Sequence, residues 1–379
     1  MIPSFWSLLA APLLISHTFG APSWFGNRDV NATAISQDLL DKFGLYEQYA
    51  AAAYCASNYE SPPDKKLKCP VGNCPRVEAA GTEIVHSFSN SLLTDTSGYV
   101  AFDHTHKLII VSFRGSESFR NYLTFVNFPL VPIDLCVGCL SAAGYYAAWQ
   151  EVKNDILRTV EETHGKYPDH NVVVTGHSLG GGIASIAVGF LREKGHIVDL
   201  ATFGAPRIGN EVLVKFIQNA TPKMGENFRI VHVGDPASSF PLTESGFRHL
   251  DPEYLVISNN KDYPTTKDVI KRKTDENGEG IIGVNIKEGQ IAHDWYFGPI
   301  KMCLVSVIPC RVGVQEERLK GPGELGIGSM YDPRRRDDLD TLQYWETICS
   351  HNVGEPGAEI VFGIPRVSLG VVEDEFEMG

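Results

Sequence analysis

The chain has 379 residues, of which 43% are hydrophobic and 21% charged, a globular composition that excludes wholesale disorder and suits one large domain or two ordinary ones. Its 33 basic against 46 acidic side chains give a net charge of −13, the wrong sign for gripping a phosphate backbone, so no nucleic-acid partner is expected. No apolar run reaches the roughly 18 residues of a membrane span.

At the N-terminus, Phe5 to Ile15 form a short apolar run, with Thr18 and Gly20 as small residues beyond it. This pattern predicts a secretory signal over residues 1–20, followed by a leader over 21–35. Apolar side chains at three- and four-residue steps (Leu39, Leu40, Phe43, Tyr46, Tyr49, Ala50) predict a helix running to Ala53. Tyr99–Phe102 and Leu108–Phe113 read as two strands joined by a turn. Tyr146 to Val160 is an amphipathic helix that Gly165 and Pro168 are expected to stop. Val172–Thr175 is a short apolar strand, Gly182–Leu191 a helix, and Ile197–Phe203 and Phe228–Val233 further strands. Strand and helix alternate, which predicts an α/β fold with a mostly parallel sheet flanked by helices. Residues 304–379 hold 7 basic and 14 acidic side chains and little periodicity, and read as an acidic C-terminal extension.

Export makes the eight cysteines candidates for disulfides, although eight thiols allow 105 pairings and the sequence alone fixes none. Cys69 lies close to Cys74 and Cys136 to Cys139. A four-sulfur zinc site would have to bridge the long gap between these pairs, and no metal or other cofactor is expected. Asn31 and Asn219 each begin an Asn-x-Thr glycosylation acceptor.

The strongest chemical signal is Gly176-His177-Ser178-Leu179-Gly180, set between an apolar strand and a helix. A turn this sharp presents the serine hydroxyl at the end of the strand, and its flanking residues are expected to take conformations that glycine tolerates. The following helix N-terminus aims N–H groups toward a developing oxyanion. A serine needs a histidine to accept its proton and a carboxylate to orient that histidine. His177 would point away across the turn. Asp235 follows a strand between Gly234 and Pro236, at the sheet edge where Ser178 emerges, whereas Asp199 precedes its strand at the wrong end. His232 lies inside a strand. His249 and His293 both stay open as the base, with the aromatic run Trp295-Tyr296-Phe297 available to anchor the loop of the latter.

Together these residues resemble the filamentous-fungal class 3 lipases, which include secreted acylglycerol lipases and feruloyl esterases. The resemblance runs from about Ser36 to Cys303 through Ser36-Gln37-Asp38-Leu39, Ala51-Ala52-Ala53-Tyr54-Cys55, Phe113-Arg114-Gly115-Ser116, the Ser178 turn, Phe203-Gly204-Ala205-Pro206-Arg207-Ile208-Gly209-Asn210 and His293 to Gly298. It implies an α/β-hydrolase fold for residues 36–303, with Ser178 as nucleophile, Asp235 as acid and His293, not His249, as base. It also implies an oxyanion hole from Ser116 and Leu179, and disulfides Cys55–Cys303, Cys69–Cys74 and Cys136–Cys139. Cys310 and Cys349 are left to pair by elimination. Glu117 to Phe125 matches a lid, with Phe119, Tyr122, Leu123 and Phe125 on its apolar side and Arg120 on its polar side.

Two departures stand out. Ala142-Ala143-Gly144-Tyr145 replaces a family His-x-Gly-Phe, which removes a hydrogen bond beside the site, and Ala237-Ser238 replaces Val-Pro after the acid, which alters a pocket wall. The expected protein is a secreted, monomeric serine esterase acting on lipid at an oil–water interface. A feruloyl-type esterase, a phospholipase A1, a serine peptidase of the same broad fold and a catalytically dead lipid-binding protein are the alternatives.

Overall fold

The computed structural model describes residues 33–89, 94–116, 129–273 and 286–305. The signal segment and most of the leader, Asn31, the lid residues Phe119, Arg120, Tyr122, Leu123 and Phe125, and the extension with Cys310 and Cys349 lie outside these residues.

In chain order the strands are β1 (Thr33–Ala34), β2 (Lys65–Lys66), β3 (Glu83–Phe88), β4 (Gly98–Asp103), β5 (Leu108–Phe113), β6 (Leu130–Pro132), β7 (Leu140–Ala142), β8 (Asn171–His177), β9 (Val198–Phe203), β10 (Asn227–His232), β11 (Glu253–Val256) and β12 (Val269–Arg272). The helices are α1 (Gln37–Ala52), α2 (Ala56–Tyr59), α3 (Pro75–Ala79), α4 (Ala143–Lys166), α5 (Leu179–Glu193), α6 (Glu211–Asn219) and α7 (Ile286–Asp294). Among the described residues ten strands form one sheet, ordered β1-β12-β11-β10-β9-β8-β5-β4-β3-β2, while β6 and β7 make a separate ribbon. The centre of the sheet, β5-β8-β9-β10-β11, is parallel throughout, and its flanks are antiparallel. Helices cover both faces, as the alternation of elements requires for a parallel centre.

The strands distribute their side chains with a period of two between two cores. Ile109, Val111 and Phe113 of β5, with Val172 and Val174 of β8, face the core shared with α4 and α5. Ile110 and Val173 face the other core, with α1. Apolar runs such as Leu108–Phe113 are thus buried on both faces, which is why they show no alternation. Ser36 caps α1 by accepting a hydrogen bond from the Leu39 N–H. Within the α1 core Phe43 meets Phe228 and Tyr254 edge-on, with ring centroids 5.4 and 4.8 Å away.

The helix bounds differ from those expected. α4 continues through Gly165 to Lys166, because Tyr167 N–H still reaches the Thr163 carbonyl and the chain leaves the helix only at Tyr167. α5 begins at Leu179, immediately after the serine, three residues before the apolar pattern becomes readable.

At the end of the molecule opposite Ser178, the buried Arg192 at the C-terminal end of α5 ties three segments together. Its guanidinium donates to the carbonyls of Val198, Ile217, Met224 and Glu226 and to Asn227 Oδ1, at 2.7–3.3 Å. Burial lowers its pKa to about 10, still well above neutrality. Arg192→Met leaves these buried acceptors unpaired and is expected to cost about 3 kcal/mol or more, read as a lower denaturation midpoint.

Among the described residues three disulfides are formed: Cys55–Cys303, Cys69–Cys74 and Cys136–Cys139. The first closes a loop of 248 residues and fastens the segment after α1 to the one after α7.

Candidate active site

Four adjacent parallel strands release the chain at one edge of the sheet. Arg114-Gly115-Ser116 follows β5, Ser178 follows β8, Gly204 follows β9 and Asp235 lies three residues beyond β10. The carboxyl edge of a parallel sheet collects loops in this way. His293 arrives separately, on the last turn of α7 rather than in the loop expected from its aromatic neighbours. That position suits a base, because the negative end of the helix favours the cation formed when the ring takes a proton.

The bend at Ser178 carries real strain, and on a different residue from the one anticipated. Ser178 itself has φ 57° and ψ −128°, a region costly for any residue with a Cβ, whereas Gly176 and Gly180 have no positive φ. These glycines are required by proximity: a Cβ on Gly176 would lie 2.4 Å from the Gly180 backbone, and one on Gly180 would lie 2.3 Å from the Phe113 carbonyl oxygen. Ser178 N–H donates to the Phe203 carbonyl at 2.9 Å, so the neighbouring strand holds the bend.

His293 Nε2 lies 2.9 Å from Ser178 Oγ, and Nδ1 lies 2.9 and 3.0 Å from the two oxygens of Asp235. A carboxylate only accepts, so Nδ1 carries the ring proton, and the Nε2 lone pair faces the serine hydroxyl, which donates to it. The three residues are between 1% and 3% exposed. Asp235 receives two further donors, the Ala237 N–H on Oδ1 at 2.8 Å and the Tyr296 hydroxyl on Oδ2 at 2.5 Å. Burial, reinforced by the adjacent Asp235, keeps the Tyr296 phenol protonated far above its ordinary range, so it remains a donor.

Leu179 is the first residue of α5, where helix N–H groups have no partner of their own within the helix. Ser116 is half-buried one residue from Gly115, which packs against the His177–Ser178 bend. The two residues expected to face an oxyanion therefore border the serine from two sides.

His249 does not join this group. It is buried, its Nε2–H donates to the Ser238 carbonyl at 2.6 Å, and burial, with Arg229 and Arg207 nearby, depresses its pKa far below the usual imidazole value. Its role is to hold the turn after Asp235. Arg207 holds the same turn by donating to the carbonyls of Ser239 and Pro241 at 2.5 and 2.8 Å. His232 lies in β10 with Nδ1–H on the Val233 carbonyl, and Asp199 is at the opposite sheet end, bound to Lys42. The altered pair Ala237-Ser238 still supports the acid: Ala237 through its N–H, and Ser238 by donating its hydroxyl to the Asp235 carbonyl at 3.1 Å. Asn219 is exposed at the end of α6.

A serine at a strained bend between a parallel strand and a helix, on a mostly parallel sheet flanked by helices, defines an α/β-hydrolase. Comparison with known proteins narrows this. The family model described as "Lipase (class 3)" matches residues 110–245, and that for the "Lipase 3 N-terminal region" matches residues 4–86. The chain is 36% identical to secreted mono- and diacylglycerol lipase A of Penicillium cyclopium over 84% of its own length and 97% of that protein's. It is 37% identical to secreted mono- and diacylglycerol lipase 1 of Fusarium solani over 76% of its own length and 84% of that protein's. The crystal structure of the mono- and diacylglycerol lipase of Aspergillus oryzae superposes with a TM-score of 0.66 at 39% identity, over 71% of this chain and 99% of that one. The chain belongs to the class 3 lipases of filamentous fungi and is a carboxylic ester hydrolase.

Proposed function

We propose that the protein is a secreted lipase that cleaves mono- and diacylglycerols through an acyl-enzyme, with Ser178 as nucleophile, His293 as base and Asp235 as the orienting acid. The reading rests above all on the serine hydroxyl lying 2.9 Å from the unprotonated nitrogen of a histidine whose other nitrogen is fixed by a buried carboxylate. As Ser178 Oγ bonds to the ester carbonyl carbon, its proton passes to His293 Nε2 and negative charge moves to the carbonyl oxygen. Leu179 N–H, with Ser116 N–H and hydroxyl, meets that charge, and one such donor is typically worth about 10²–10³ in rate. Collapse breaks the bond to the glycerol oxygen, which takes the proton from His293. Water then gives a proton to the same nitrogen as it attacks the acyl carbon, and the carboxylic acid leaves as Ser178 recovers its proton.

The names of the Penicillium and Fusarium relatives favour partial glycerides and secretion. The apolar residues of segment 117–125 suit a lid that exchanges contact with the site for contact with lipid. A panel of monoolein, diolein, triolein, phosphatidylcholine and methyl ferulate tests the assignment. Mono- and diolein are expected to be hydrolysed fastest. Faster turnover of triolein, phosphatidylcholine or ferulate replaces this reading by the corresponding alternative.

A further inference from the structure

The side chain of His177 points away from Ser178, yet it is wholly buried and not idle. Its Nε2 lies 2.7 Å from the His293 carbonyl oxygen, and its Nδ1 lies 2.6 Å from the Tyr54 hydroxyl. A carbonyl only accepts, so Nε2 carries the proton; Nδ1 must then accept, and the Tyr54 O–H donates to it. The Tyr54 oxygen in turn packs directly on Gly115, so close that a Cβ there would lie 2.2 Å away. The donors run in one direction from Tyr54 to His177 to the backbone of His293, with Gly115 packed against the tyrosine oxygen. The rings of His177 and His293 also lie face against face, tilted by 40° with centroids 4.5 Å apart. Burial and the neighbouring His293 and Lys301 depress the His177 pKa far below the usual imidazole value, so the direction of donors holds when His293 becomes charged. Tyr54 is fixed from behind, since Cys55 is bonded to Cys303.

We propose that Tyr54 and His177 are positioning residues, which couple the loop expected to bind the oxyanion to the backbone that carries the base. The proposal rests on the roles assigned to Ser178 and His293. The two ends of this connection, Gly115 after β5 and His293 on α7, have no covalent reason to move together. The relay keeps Ser116 and the His293 ring in register across Ser178. Displacement by about 1 Å at a reacting group can cost on the order of 10²-fold in rate. The relay's hydrogen bond to His293 is made to its backbone carbonyl and not to its ring nitrogens, so its loss should fall on kcat rather than on KM.

The test compares wild type with Tyr54→Phe, His177→Gln and the double variant on a soluble para-nitrophenyl ester, at a temperature well below each unfolding midpoint. Tyr54→Phe removes one hydroxyl and keeps the ring. His177→Gln keeps a donor for the His293 carbonyl and has no acceptor at the imidazole Nδ1 position that faces Tyr54. Each is expected to lower kcat by about 10- to 100-fold with KM within about twofold. The acid limb of kcat/KM should move to lower pH, because a loosened ring is less well held by Asp235 as its cation. The double variant should be close to the worse single one, since both break the same connection. An unmoved acid limb, kcat within about twofold of wild type, or independent effects that multiply would each overturn the relay. If His177→Gln does not fold, Tyr54→Phe decides through kcat and the pH profile alone. Ser178→Ala in the same assay separates the two ideas: if it retains turnover, the assigned nucleophile fails and the relay with it, whereas full loss there beside unaffected relay variants sinks only the relay.

Discussion

Ser178→Ala and Gly204→Ala are both expected to abolish measurable turnover, the first by removing the proposed nucleophile and the second without replacing any residue of the proposed triad. Ser178→Ala should lower kcat by about 10⁴–10⁶-fold with the unfolding midpoint preserved, since the alanine methyl occupies space the serine already fills. Gly204 follows β9 with φ +56°, and a Cβ there would lie 2.3 Å from Asp235 Oδ2, 2.5 Å from the Tyr296 hydroxyl and 3.1 Å from His293 Nδ1. Separations below 3 Å cannot be absorbed by small adjustments, and neither neighbour is free to swing aside. Asp235 is bound by Ala237 N–H, Tyr296 and His293, and Tyr296 is fully buried against Phe203 and His232. The carboxylate must leave the histidine, and the left-handed φ adds about 1 kcal/mol of strain for alanine. A loss of at least about 10³-fold in kcat is expected, with the fold retained by circular dichroism. Adding Tyr296→Phe removes the contact with the hydroxyl but not the shorter one with Asp235, so it should not rescue activity. Gly204→Ala within about tenfold of wild type would mean that the acid is not held where the structure holds it.

How far the site can be read in the sequence depends on the range of the interactions that define each residue. Ser178 is legible because a nucleophile elbow is local: five consecutive residues between a strand and a helix encode it. Asp235 is legible at one remove, since the residue after a parallel strand must emerge at the carboxyl edge. The residues alone favour His293 only modestly over His249, through the aromatic run beside it. What separates them is whether the ring meets a carboxylate 58 positions earlier or a backbone carbonyl 11 positions earlier, which only the folded chain decides. Gly204 and Tyr296 were invisible as parts of the site for the same reason. The glycine sits in a motif that looks like an ordinary strand end, and the tyrosine in an aromatic run that reads as core.

The fold was easier to read than its reasons. Alternation of strands and helices is a property of order along the chain, so a parallel centre followed directly from it. Which face each side chain takes did not, because strands buried on both sides lose the alternation that marks a half-buried strand. The elbow is an instructive case. Glycine was expected for its backbone freedom, and is needed for the distance between two backbones, while Ser178 bears the strained conformation.

Replacing Glu47 by glutamine is expected to stabilise the protein at alkaline pH and to leave it almost unchanged near pH 5. Glu47 lies on the inner face of α1, 2% exposed, and among the described residues its Oε1 has no hydrogen-bond partner and its carboxyl no ion pair. Its carboxyl faces Gly298, in the segment that follows His293, with both oxygens within 3.8 Å of where a Cβ on that glycine would lie. Burial raises its pKa from 4.5 to about 8. Between those values the folded chain binds a proton that the unfolded chain has released, so stability falls as pH rises through that window, by about 1.4 kcal/mol per unit. Below the window both states are protonated and the effect vanishes; above it the full cost, several kcal/mol, is present, a large part of an ordinary domain's stability. Asp103 and Glu253 act with the opposite sign. Each is buried, but Tyr49 and His106 hold the first, and Arg229 and Arg272 the second, below the usual carboxylate range. Their contribution is present above the unfolded carboxylate pKa and is lost as acid titrates the folded groups. The wild-type midpoint should therefore pass through a maximum in mildly acidic solution and decline on both sides. Glu47→Gln keeps the acid limb, set by Asp103 and Glu253, and flattens the alkaline one. Thermal midpoints of both proteins from about pH 4 to pH 9 decide the matter: parallel curves would show that Glu47 does not hold its proton in the folded chain.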